Sequence, residues 1–176
     1  MCPGQGGKPG CYRDEHFAPC YPNGLVVGDA NKHTIMFTTS AAVMNFLPDT
    51  KGPGPLSQDY TDPPDNSQLG NLASQMTTLN LNVGFDSCDP SFSSAVSSLE
   101  DQVYCNTGPC NGMTVSEILT LGNQALGGTI TMPYTFPRTL SVFISYSMLN
   151  VCVTKINQNY DNGNQDKGDL CSPGCA

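Results

Sequence analysis

Few side chains in this sequence could move a proton near neutral pH: His16 and His33 are the only histidines among 176 residues. Each lies in a polar stretch with no Ser in a G-x-S-x-G turn and no cysteine in a protease-like setting, so neither belongs to a recognisable nucleophile and base pair. A hydrogen-bonded or solvent-facing role is expected for both. Glu117 is the most tempting general acid. It stands three residues after Thr114 at the head of an apolar run, however, which is the spacing of a capping box.

Cys105, Cys110, Cys171 and Cys175 could hold zinc, but the spacings C-x4-C and C-x3-C are looser than the usual C-x2-C knuckles. Five further cysteines, Cys2, Cys11, Cys20, Cys88 and Cys152, favour an oxidised framework in an oxidising compartment. Eight of the nine are expected to pair. Cys152, on the apolar face of a helix, suits a buried free thiol; Cys2 suits a link to another chain. Three short spacings stand out, Cys11 with Cys20, Cys105 with Cys110, and Cys171 with Cys175, the last read as a small C-terminal loop, but eight cysteines allow about 105 pairings and no connectivity is assigned.

The calcium candidates are Asp86 and Asp89 in FDSCDPSF, and Asp161, Asp166 and Asp169 in NYDNGNQDKGD. The second run lacks the EF-hand alternation and its bidentate Glu, so it reads as a turn with surface acids. Asp86 and Asp89 could also be imagined as a glycosidase pair, but without tryptophan the chain has few flat platforms for sugar rings. Lys51 and Lys155 show no nucleophilic context, and a Gly-rich phosphate loop is missing. No catalytic residue, metal or cofactor is assigned, and the chain is read as a non-enzyme.

The elements that would position these residues are clearest at residues 108–128, GPCNGMTVSEILTLGNQALGG. Thr114 and Glu117 start a helix, Val115, Ile118, Leu119, Ala125 and Leu126 form its buried face, and Gly127 with Gly128 supplies a left-handed stop. Thr39 or Ser40 caps a shorter helix that ends at Pro48. Leu69, Leu72, Ala73, Met76, Leu79 and Val83 follow helical spacing from Ser67, although Leu79, Leu81, Val83 and Phe85 also alternate, which leaves open a change to strand near Asn80. Further helices are predicted over 91–104 and 145–160. Leu25–Val27 and Thr34–Thr38 read as a β-hairpin, and Tyr134 lies in an edge strand or extended loop beside Pro133. Residues 48–67 form a long Pro- and Gly-rich loop.

The predicted fold class is therefore α+β and helix-rich: amphipathic helices, a small β-hairpin and long loops, stapled by disulfides. Residues 1–20 read as an irregular, disulfide-tethered arm, and 21–176 as a single globular domain with a C-terminal cysteine loop.

Charged residues make up 12% and hydrophobic ones 38%, so the surface is polar but weakly charged. A net charge of −8 offers no basic footprint for nucleic acid or anionic membranes. No apolar run approaches the length of a membrane span. Residues 1–9 have neither a basic start nor an apolar run, so no signal peptide is read there.

Five segments, YPNGLVVG, FTTSAAVMNFLP, LGNLASQMTTLNLNVGFD, GPCNGMTVSEILTLGNQALGG and INQNYDNG, together resemble a domain that recurs in large secreted and cell-surface proteins of Bacteroidetes-type bacteria. The resemblance spans about residues 21–163. It implies an extracellular setting and a structural or adhesive role, and carries no catalytic residue across. The short chain and its many cysteines depart from that pattern and favour a free-standing, disulfide-locked subunit.

The expected function is a non-catalytic extracellular structural protein that assembles with copies of itself into a surface fibre, sheath or layer. A glycan-binding adhesion module, with Tyr12, Tyr60 and Tyr134 as stacking residues, is the alternative. A structural virion component is a third reading.

Overall fold

The computed structural model of the protein describes residues 7–65, 67–93, 97–135, 143–159 and 166–174. The fold is α+β, with α1 (Gly7–Cys20), β1 (Leu25–Gly28), β2 (Thr34–Phe37), α2 (Ser40–Phe46), β3 (Tyr60–Thr61) and α3 (Asn71–Cys88) forming the first half. A 3-10 turn (Leu99–Asp101), β4 (Val103–Tyr104), α4 (Val115–Gly127), β5 (Tyr134–Thr135), β6 (Phe143–Ile144), α5 (Tyr146–Asn159) and β7 (Leu170–Cys171) complete it.

α3 is the axis of the molecule. It packs against α1, α4, α5 and β1, and buries Leu72, Ala73, Met76, Leu79, Leu81, Val83 and Phe85. A helix surrounded on several sides need not confine its apolar residues to one stripe. That resolves the alternation at 79, 81, 83 and 85: the segment stays helical to Cys88, because both sides of its C-terminal half meet other elements. Polar groups on the axis are bonded rather than left bare. Thr77 Oγ1 donates to the Ala73 carbonyl at 2.8 Å. Asn80 and Asn123 exchange amide hydrogen bonds at 3.1 and 3.3 Å, and Asn123 Oδ1 also accepts the Gly28 N–H, joining α3, α4 and β1.

The hairpin forms as its alternation predicts, with Leu25, Val27, Ile35 and Phe37 turned into the core. β3 adds a parallel strand beside β2. Asp59 accepts the Thr34 N–H and Asp62 the Thr38 N–H, so two carboxylates of the long loop pin it to both ends of β2.

α4 carries the predicted capping box, Thr114 Oγ1 with the Glu117 N–H and Glu117 Oε2 with the Thr114 N–H, and ends at Gly128 in the left-handed region. Lys32 Nζ reaches the Gly128 carbonyl at 2.8 Å, placing a cation at the negative end of the helix. α2 is capped by Thr39 and stops before Pro48, and β5 pairs with β6 beside Pro133. The Leu47–Pro48 and Met132–Pro133 bonds are cis.

Three expectations are corrected. Residues 7–20, read as an irregular arm, form a helix, which puts His16 on a helix and not in a loop. Its composition is a poor helix former, but Phe17 is buried and Tyr12 and Tyr21 pack on the core, so tertiary contact outweighs propensity. The helix predicted over 91–104 is absent over the described part of that range. Asp89 instead makes a tight turn with Ser91, Asp86 fixes the Leu99 N–H, and Val103–Tyr104 pair with Leu170–Cys171. Finally, Cys171 does not close a local loop with Cys175, since it is bonded to Cys105.

Candidate functional site

A histidine, a tyrosine and a carboxylate meet where α1 passes the C-terminal end of α3. Tyr12 and His16 lie one turn apart on α1, and their rings stack with centroids 3.9 Å apart. Tyr12 Oη donates to Asp89 Oδ2 at 2.5 Å, and His16 Nε2 lies 3.5 Å from the same oxygen. Phe85 meets the Tyr12 ring edge-on, and Phe92 closes another side. Ser91 donates its N–H and its hydroxyl to Asp89 Oδ1.

These bonds, Tyr12's first and then those of Ser91, hold the Asp89 carboxyl down to about 2, and His16 adds a smaller pull in the same direction. Burial, then the hydrogen bond to Asp89 and its charge, push the Tyr12 hydroxyl up. The acid is thus ionised, the phenol protonated, and each is committed to the other. Such a pair clamps α1 to α3 well; it is poorly matched to a proton transfer near neutral pH. The Cys20–Cys88 disulfide joins the same two helices nearby.

Two open depressions flank the ridge Pro55–Ser57. The first, of about 390 Å³, is lined by Lys51, Gly54, Ser57, Tyr60 and Gln68. The second, of about 380 Å³, lies between Lys32, His33, Thr131 and Tyr146. Ser57 Oγ and Tyr60 Oη are 3.1 Å apart. His33 Nδ1 is 3.9 Å from Asp59 Oδ1. Of the tyrosines proposed to stack on sugars, Tyr60 lines a depression, Tyr12 is occupied by His16 and Asp89, and Tyr134 packs against the core from β5.

The described calcium candidates are each engaged in hydrogen bonds. Asp86 Oδ2 accepts the Leu99 N–H at 2.7 Å, and Asp166 Oδ1 accepts from Asn159 and the Gly168 N–H. Asp161 lies outside the described residues. Among the described residues no three His, Cys, Asp or Glu side chains are grouped to hold a metal ion. Glu117 is held in its capping box.

The cysteines pair across long stretches of chain: Cys20 with Cys88, Cys105 with Cys171, and Cys110 with Cys152. Cys152 is therefore not a free thiol; its buried sulfur faces Cys110 from α5. Cys11 is also disulfide-bonded, while Cys2 and Cys175 lie outside the described residues. Bridges of this kind form and persist in oxidising compartments, which places the protein outside a reducing cytosol. Among the described residues no helix is long and apolar enough to cross a membrane.

Two constellations escaped the sequence reading. The i, i+4 spacing of Tyr12 and His16 is a signal, but only once residues 7–20 are known to be helical. The second gathers Asn106, Lys155 and Asp169 from three distant segments, and no local spacing announces it.

The fold and its bridges define a disulfide-stapled α+β domain. No family model, curated protein or solved structure matches the chain.

Proposed function

We propose that this is a non-catalytic extracellular structural protein, a subunit that assembles with copies of itself into a surface fibre, sheath or layer. The observation that carries this reading is the long-range disulfide clamp. The bridges span 68, 66 and 42 residues and tie α1 to α3, β4 to β7, and the loop before α4 to α5. A domain fastened across its whole topology is suited to persist outside the cell. The polar groups most suited to chemistry, Asp86, Asp89 and Glu117, serve as caps and clamps. Phe143, Met148 and Val151 are exposed, offering apolar surface that a second copy would cover. The resemblance to a domain of secreted and cell-surface proteins supports the same setting.

Light scattering over a concentration series, with negative-stain microscopy of the same native sample, tests assembly. Association and ordered polymers are expected. A monodisperse monomer at high concentration, without polymers, overturns the proposal.

Glycan binding is the second reading, favoured by the depression beside Tyr60. A glycan array should then show ligands whose binding is lost in Tyr60→Ala. An array without enrichment removes this reading.

A further inference from the structure

Asp169 is a buried carboxylate held between an amine and a carboxamide. Its side chain is 7% exposed, and Oδ1 lies 3.7 Å from Lys155 Nζ. The same oxygen accepts a hydrogen bond from Asn106 Nδ2 at 2.5 Å. The carbonyl oxygen of that carboxamide in turn accepts the Thr107 N–H at 2.7 Å, which draws electron density away from the Asn106 Cγ carbon. Backbone bonds fix the carboxylate as well: the Asp169 N–H donates to Asn159 Oδ1 and the Asp169 carbonyl accepts from Cys105.

Two disulfides hold the three segments in register. Asn106 lies between Cys105, bonded to Cys171 two residues beyond Asp169, and Cys110, bonded to Cys152 one helical turn before Lys155. Tethering reactants in this way removes most of the entropy cost of bringing amine and amide together. An ion pair alone would require no carboxamide on the same oxygen, nor a polarised carbonyl behind it.

We propose that Lys155 and Asn106 form an intramolecular isopeptide bond, with Asp169 as the proton shuttle. The Asp169 carboxylate takes a proton from the Lys155 ammonium, and the freed amine attacks Asn106 Cγ. Asp169 returns that proton to Nδ2 as the Cγ–Nδ2 bond breaks, and the second proton of the attacking nitrogen passes to the departing ammonia through the same carboxylate. Lysine ammonium and asparagine carboxamide thus become one secondary amide and ammonium, with no oxidant or further reactant. The Lys155 side chain is 45% exposed, so it has room to swing from the carboxylate to Cγ, and ammonia has a way out. The bond would add a redox-resistant staple beside the two disulfides, a property independent of whether the protein assembles.

The test is the intact mass of the full chain, fully reduced, alkylated and denatured, after incubation of the folded protein at neutral pH. The expected mass is about 17 Da below that of the sequence, one ammonia lost. Trypsin should fail to cut after Lys155, and fragmentation should join Lys155 to Asn106. Lys155→Arg keeps the charge but removes the attacking amine, and should restore the full mass in a protein that still forms its disulfides. Asp169→Asn should do the same or slow the loss at least tenfold. The full sequence mass in folded wild-type protein, a gain of about 1 Da from hydrolysis of Asn106, or a Lys155 link to any other residue would each overturn the proposal.

Discussion

The Tyr21 hydroxyl lies directly over Gly84. It donates to the carbonyls of Asn80 and Leu81 at 3.0 and 3.1 Å, and a Cβ added at Gly84 would stand 1.9 Å from that oxygen. The missing side chain is what lets a phenol seat on the flank of α3. Gly84→Ala should therefore destabilise the protein by about 2 kcal/mol through overpacking, although alanine is the better helix former by about 1 kcal/mol. Thermal or urea unfolding checks the sign. In a Tyr21→Phe background, which removes the clashing oxygen, the cost should shrink.

The Asn80–Asn123 amide pair predicts a second loss. Asn123→Ala strands the Gly28 N–H and Asn80 Oδ1 in a partly buried setting, while Asn80 Nδ2 keeps only its bond to the Met76 carbonyl. The expected cost is about 1–3 kcal/mol, measured by urea unfolding. A neutral result would mean that water replaces Asn123.

Stability should fall in acid through Asp89. Its carboxyl sits at about 2 when folded, against about 3.9 when unfolded. Between those values the unfolded chain binds more protons, so stability rises with pH there. The contribution is present above about pH 4 and lost as pH falls towards 2. Asp14, lowered by its bonds to Ser40 and then Arg13, acts in the same direction. Melting curves of wild type and Asp89→Asn should differ at pH 7 and converge near pH 2.

Opening the long-range bridges should cost far more than removing a cap. Loops of 42–68 residues correspond to about 4 kcal/mol each in chain entropy. Full reduction, followed by calorimetry with thiol counting, should lower the melting temperature sharply. Thr114→Ala, which removes half of the capping box, should cost only about 1 kcal/mol and leave the bridges intact.

The parts of the fold legible in the sequence are those governed by local chemistry. The capping box at Thr114, the glycine stop at 128, the Thr39 cap and the alternation of the hairpin each depend on neighbours within a few residues. The Ser91–Tyr104 stripe misled for the complementary reason. Its spacing suits a helix, but the Asp89 turn and the pairing of Val103 and Tyr104 with β7 use the same residues differently. The α1 segment misled in the opposite direction, because its helix rests on Phe17 and Tyr21 meeting a core built elsewhere in the chain.

By itself, then, the sequence determined the helix-rich α+β class, the main caps and turns, and a cysteine content that implies an oxidised framework. Only the tertiary structure decided which cysteines pair, that Asp89 clamps Tyr12 77 residues away, and that Asn106, Lys155 and Asp169 share one carboxylate oxygen. Caps and turns are set by hydrogen bonds within a few residues. Pairings across tens of residues are set by how distant elements pack, α1 and α5 on α3 and β7 on β4, and nothing in local spacing encodes that.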